Sequence, residues 1–119
     1  MATELETLRA VKQLGQVMPA NTNAYVLISK AAKRKVVITS VIVSNVTSSS
    51  AKYAIFLDIN GTSATDNEAI AHDVTLAAKT YTILEFNTGL PMNHETAGTL
   101  TVSSDTANAI CFTVNGIEF

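Results

Sequence analysis

The run Lys35-Val-Val-Ile-Thr-Ser-Val-Ile-Val-Ser-Asn45 limits what this chain can fold into more than any other segment. β-Branched side chains lose χ1 freedom in a helix and pack well on a pleated surface, so the run predicts a strand. Apolar residues fall on both of its faces, and both then need cover, which places the strand in the middle of a packed sheet. It ends in Val46-Thr-Ser-Ser-Ser50, a hydroxyl-rich turn, and a second alternating segment follows at Lys52–Asp58. Two such segments across a short polar connection predict an antiparallel hairpin.

The rest of the chain repeats this grammar. Asn23–Ser29, Ala69–Leu76, Lys79–Phe86, Thr99–Ser103 and Ala109–Phe119 are further strand candidates. Leu100 and Val102 are expected to face inward, as are Ile110, Phe112 and Val114, because side chains alternate across a strand. Turn residues separate the candidates at Asn60-Gly61, Asn87-Thr-Gly89 and Asp105-Thr-Ala-Asn108. Seven or eight short strands at this spacing predict an all-β, antiparallel β-sandwich of jelly-roll type. Gly116 is expected to form a bulge that resets which face Ile117 and Phe119 use.

One segment departs from the strand period. Leu5, Leu8, Val11 and Leu14 recur at three-residue steps, Thr3 and Glu6 match a capping box, and Gly15 can close a helix there. Residues 1–15 are therefore expected to form a short N-terminal helix, or an arm that orders against a partner, with residues 16–119 as the sandwich domain. At 119 residues the chain is long enough to bury a core without staples. Its single cysteine, Cys111, excludes an internal disulfide framework. There is no basic start followed by an apolar stretch, and no apolar run long enough to cross a bilayer as a helix. A net charge of −2 creates no field that would draw nucleic acid or anionic lipid. Neither is expected as a partner.

The order of landmarks resembles a family of small bacteriophage virion β-sandwich proteins, the head decoration (cement) or tail accessory subunits. The residues that carry the resemblance begin with Leu14-Gly15-Gln16 ahead of the first strand and Tyr25 closing a Thr/Asn-rich lead-in. A basic loop at Lys30–Lys35, the strand ending at Asn45 and the strand Tyr53–Asp58 follow. The last is the pattern Phe112-x-x-x-Gly116-x-Glu118 with Phe119 after it. The resemblance covers residues 14–119. The family's Pro-Ala-Gly turn is missing at 30–35, which leaves the construction of that loop open.

That resemblance implies a non-enzymatic structural protein of a virion assembled in the host cytoplasm, with no active site to carry over. The leading reading is a capsid decoration or cement subunit. Its partners would be the major capsid protein or other virion proteins, together with copies of itself in a trimer or higher ring. The expected contact residues are Leu5, Leu8 and Val11 in the N-terminal segment and Lys33 and Arg34 in the basic loop. Two other readings stay open: a tail-tip or fibre module that binds host glycan, and a collar or tail ring building block.

No catalytic set stands out. His72 and His94 are far apart in sequence, each beside a carboxylate (Asp73 and Glu95), which is the pattern of an exposed local pair. Cys111 lies in an alternating strand without a second thiol. Oxygen-bearing residues recur from Asp58 to Glu68, but the glycine stands fourth and not sixth, so an EF-hand loop is not formed. No metal or cofactor is expected. Lys30, Lys33, Arg34 and Lys35 hold four of the eight Lys and Arg residues, suited to docking on an acidic protein patch. The aromatics that single-stranded nucleic acid would require are missing around them. Asn45-Val-Thr47 and Asn60-Gly-Thr62 are glycosylation sequons by form only. A glycan site would have to use Tyr25, Tyr53 and Tyr81, which fit equally well as sandwich-edge aromatics.

Overall fold

The structure is a computed structural model that describes residues 11–30, 35–58, 69–92 and 98–118. Within them the chain forms eight strands: β1 (Lys12–Val17), β2 (Tyr25–Lys30), β3 (Val36–Asn45), β4 (Ala51–Asp58), β5 (Ala69–Leu76), β6 (Tyr81–Met92), β7 (Gly98–Ser104) and β8 (Ile110–Glu118). They build two four-stranded antiparallel sheets, in the order β1-β8-β3-β6 and β2-β7-β4-β5. Strands 1 and 8, 2 and 7, 3 and 6, and 4 and 5 pair, as they do when one long hairpin is rolled into a double sheet. This is the jelly roll.

The core lies between the sheets. Ile38, Val41 and Val43 of β3, Leu100 and Val102 of β7, and Ile110, Phe112 and Val114 of β8 are all fully buried. Tyr53 of β4 and Phe112 of β8 meet edge to face across the sandwich, with ring centroids 6.2 Å apart. Such a geometry sets the positive edge of one ring against the negative face of the other.

The long Val/Ile run is central in its sheet, between β8 and β6. Its double-faced apolar pattern has a second cause besides central position. Register slips between Ile38 and Ser40, so Thr39 is an extra residue against β8. Inward positions are Val36 and Ile38 before the slip, and Val41, Val43 and Asn45 after it. A one-residue bulge therefore lets apolar residues of both parities serve one inner face. The Thr39 hydroxyl donates to the Asn115 carbonyl at 3.1 Å and ties the bulge to β8.

Four expectations are corrected. The β3–β4 hairpin does not form: β3 and β4 belong to different sheets, and Val46–Ser50 crosses from one to the other. Gly116 is not a bulge, because β8 alternates without interruption through it. The irregularities lie in its neighbours, at Leu14 of β1 and Thr39 of β3. A Cβ on Gly116 would collide with the Val37 carbonyl and stand 2.8 Å from Leu14 Cδ1. Its role is close approach of backbones. Asn87-Thr-Gly89 lies inside β6, looping out between the segment paired at Ser40 and the one paired at Ile38, with Gly89 at φ 80°. Finally, Leu14-Gly15-Gln16 is part of the first strand and does not precede it. The helix expected from the three-residue apolar steps falls largely on residues 1–10, outside the described residues, while Lys12–Leu14 are already strand.

Candidate functional site

Antiparallel pairing sorts the connections between two ends of the sandwich. Lys12 lies opposite Gly116, Lys30 opposite Gly98, Asp58 opposite Thr99, and Val36 opposite both Met92 and Glu118. These strand ends share one end of the molecule, and segments 1–10, 31–34, 59–68 and 93–97 all join it. Arg9, Lys12, Lys30, Lys33, Arg34 and Lys35, six of the eight basic residues, belong to this end or to segments joined there. Glu4, Glu6, Asp58, Asp66, Glu68, Glu95 and Glu118 do as well. Charge in this chain is concentrated at one end.

The opposite end carries few charges and is closely knit. Asn108 N–H donates to the Pro19 carbonyl at 2.9 Å, Val46 N–H to Ala109 at 3.0 Å, and Lys79 N–H to Thr47 at 3.1 Å. Lys79 and Asn108 make their turns at φ 60° and 56°, in the left-handed region. Asn45, 2% exposed, is the hub. Its amide donates to the Ser49 and Leu76 carbonyls, and its carbonyl accepts from the Thr47 N–H and hydroxyl. The sequon at Asn45 is thus a structural device with its amide fully engaged. Asp105 accepts from Lys52 N–H at 2.9 Å. That bond, followed by the Thr106 hydroxyl and the Lys52 charge, holds its carboxyl below the usual carboxylate range. Met18, Tyr25, Val46 and Tyr81 are exposed large apolar side chains toward this end.

The residues expected to make contacts are distributed unevenly. Leu5, Leu8, Lys33 and Arg34 lie outside the described residues. Val11 stands just ahead of β1 and is 42% exposed. Lys30 is only 2% exposed, so it is no part of a solvated basic surface. It packs over Gly98 beside the buried Asp58, and a Cβ at Gly98 would lie 3.7 Å from Lys30 Cε and 3.3 Å from the Asp58 carbonyl. Lys35 is exposed.

His72 is exposed on β5, with Nδ1 3.8 Å from Asp73 Oδ2 and its ring edge-on to Phe56. His94 and most of the oxygen-rich loop after Asp58 lie outside the described residues, as does Phe119. Cys111 is half-buried and not in a disulfide. Among the described residues no three His, Cys, Asp or Glu side chains come together.

The three tyrosines do not converge. Tyr53 is 3% exposed in the core, and burial pushes its hydroxyl above the ordinary tyrosine range. Tyr25 and Tyr81 are exposed, but on β2 and β6, edge strands of different sheets. Gly15 of β1 packs against Leu27 and Ile28, so β2 underlies the β1 side of the sandwich while β6 bounds the other. A shared aromatic platform for a glycan is therefore not built.

Sequence reasoning placed a strand at Lys79–Phe86 but gave its outer face no role beyond Tyr81 as a glycan candidate. Leu84 and Phe86 pack on the core, and Tyr81 and Ile83 stand 69% and 45% exposed on the outer face. The signal was apolar residues at both parities in a strand that the fold then placed at an edge.

No protein-family model matches the sequence, and no curated protein does either. Solved structures share the fold. A protein of the T13 particle of infectious bursal disease virus superposes with a TM-score of 0.54 at 12% identity over 90% of this chain. The VP2 subviral particle of the same virus gives 0.51 at 15% over 88%. This chain spans only 30% and 31% of the length of those two proteins. A chain of the acid-stable capsid of the Helicobacter pylori bacteriophage KHP30 gives 0.50 at 12% identity, over 92% of this chain and 93% of that one. At these identities the likeness is one of fold.

Proposed function

We propose that this protein is a non-enzymatic structural component of a bacteriophage virion, acting as a decoration or cement subunit on the capsid. The observation that carries the reading is the end-to-end match with a phage capsid chain of about the same length, nearly all of each chain lying within the shared fold. A subunit of this size adds contacts between larger shell proteins, and symmetry multiplies each modest contact over the particle. The charged end is the docking end in this reading. Val11 is exposed there, and the segments proposed to contribute Leu5 and Leu8, and Lys33 and Arg34, join the described strands at this end. Apolar side chains there supply affinity, and the basic loop supplies steering and register on an acidic patch of the major capsid protein.

The test is co-sedimentation of the labelled protein with capsid shells that lack it, beside intact host cells. Saturable binding to shells at a stoichiometry set by shell symmetry is the expected result. Binding to cells and not to shells would overturn the capsid reading in favour of a tail-tip receptor-binding role.

A further inference from the structure

We infer that the free edge of β6 is a self-association surface, on which a second copy of this chain adds its own β6 antiparallel about a two-fold axis at Ile83. This goes beyond the proposed function and does not depend on it.

Among the described residues β6 pairs only with β3, so its other edge is open. Open edges are templates for further strands, and proteins blunt them with bulges and charge. Three of the four edge strands here are blunted. β1 is bulged at Leu14 and carries Lys12. β2 slips between Val26 and Ile28. β5 slips twice against β4 and exposes His72 and Asp73, the latter at φ 49°. β6 differs: from Tyr81 to Glu85 its pairing with Ser44 to Ser40 is uninterrupted, and the loop-out begins only beyond Glu85.

The backbone of this stretch is oriented for pairing. Asn45 N–H donates to the Thr80 carbonyl at 2.8 Å, which makes those two a hydrogen-bonded pair. Antiparallel pairs alternate between bonded and non-bonded. Ser44–Tyr81, Ile42–Ile83 and Ser40–Glu85 are then the non-bonded ones. The N–H and C=O groups of Tyr81, Ile83 and Glu85 accordingly point away from β3, into the open edge. Those same residues carry the exposed side chains.

A two-fold axis at Ile83 sets Ile83 against Ile83 of the other copy, and Tyr81 against Glu85 in both directions. All three are then hydrogen-bonded pairs, the apolar residues meet, and each carboxylate faces a tyrosine and not its own counterpart. The arrangement closes on itself and gives a dimer, not a filament.

Sedimentation equilibrium of the full chain tests this. A species of twice the 12.6 kDa monomer mass is expected, and Ile83→Lys, which opposes two like charges at the axis, should raise its dissociation constant by about tenfold or more. Val26→Lys on the β2 edge should leave it unchanged. Ile83→Cys combined with Cys111→Ser should form an interchain disulfide on mild oxidation, a readout independent of whether the lysine variant folds. A wild-type monomer at every concentration, a dimer weakened by Val26→Lys and not by Ile83→Lys, or a dimer in which Ile83→Cys gives no cross-link would each overturn the inference.

Discussion

The Asn45 side-chain amide donates to the Leu76 carbonyl at 3.0 Å, joining the end of β3 in one sheet to the end of β5 in the other. The same side chain holds Ser49 and Thr47 in the crossing between sheets. A chain that leaves one sheet for another exposes polar backbone at the corner, and a buried carbonyl without a donor is costly. One asparagine meets that demand on both sides.

Asn45→Ala should therefore destabilise the protein by about 2–4 kcal/mol, since it strands the buried Leu76 carbonyl as well as removing bonds. Asn45→Asp should cost at least as much, because it loses the donor and buries a charge. Urea unfolding of the three proteins is the measurement.

Phe112→Ala removes a fully buried ring from the centre of the core and its edge-to-face contact with Tyr53. The expected loss is about 3–5 kcal/mol, read from the same unfolding curves.

Stability should also fall in alkali. Burial raises the folded-state pKa of Tyr53, so the unfolded chain gives up this proton first. Stability is full below about pH 10, where the unfolded tyrosine titrates, and is lost as pH rises from there through the folded value. Tyr53→Phe should flatten that part of the pH profile and leave stability at neutral pH nearly unchanged.

Asp105 acts in the opposite sense. Its folded pKa is depressed, first by the Lys52 N–H, so its contribution is present above about pH 3.9 and is lost as pH falls through the folded value. Asp105→Asn keeps an acceptor for that N–H while removing the titration. Carbon-detected NMR should show the Asp105 carboxyl titrating below the usual range, and the variant should lose the corresponding part of the acid sensitivity.

Gly116→Ala should cost about 3 kcal/mol or more, because the new methyl meets the Val37 backbone carbonyl, which cannot move without parting β8 from β3. Gly15→Ala meets the flexible Ile28 Cδ1 at 3.1 Å and should be clearly milder. Comparing thermal midpoints of the two variants separates backbone collision from side-chain crowding.

Much of the fold could be read residue by residue. Ala69–Leu76 is a strand over those same bounds, Asp105–Asn108 is the turn between β7 and β8, and Leu100, Val102, Ile110, Phe112 and Val114 are fully buried. The candidate site was less legible. Lys30 belongs by sequence to a basic loop, yet its side chain is enclosed beside Gly98 and Asp58. Tyr25, Tyr53 and Tyr81 look alike in the sequence, and only packing makes one a core residue and the others edge residues. The free stretch of β6 could not be identified without knowing which strands lie at sheet edges.

The division has a physical cause. Period-two alternation, β-branched content and turn residues act within a few positions of one another, so the amino-acid sequence alone determined that this is an all-β protein of seven or eight strands and which residues line much of its core. Pairing is set between distant segments, Val36 with Glu118 and Lys12 with Gly116, by how two sheets close over a shared interior. Tertiary structure alone therefore decided that Val46–Ser50 crosses between sheets, that Leu14 and Thr39 bulge around an unbroken β8, and that β6, among the described residues, is paired along one edge only.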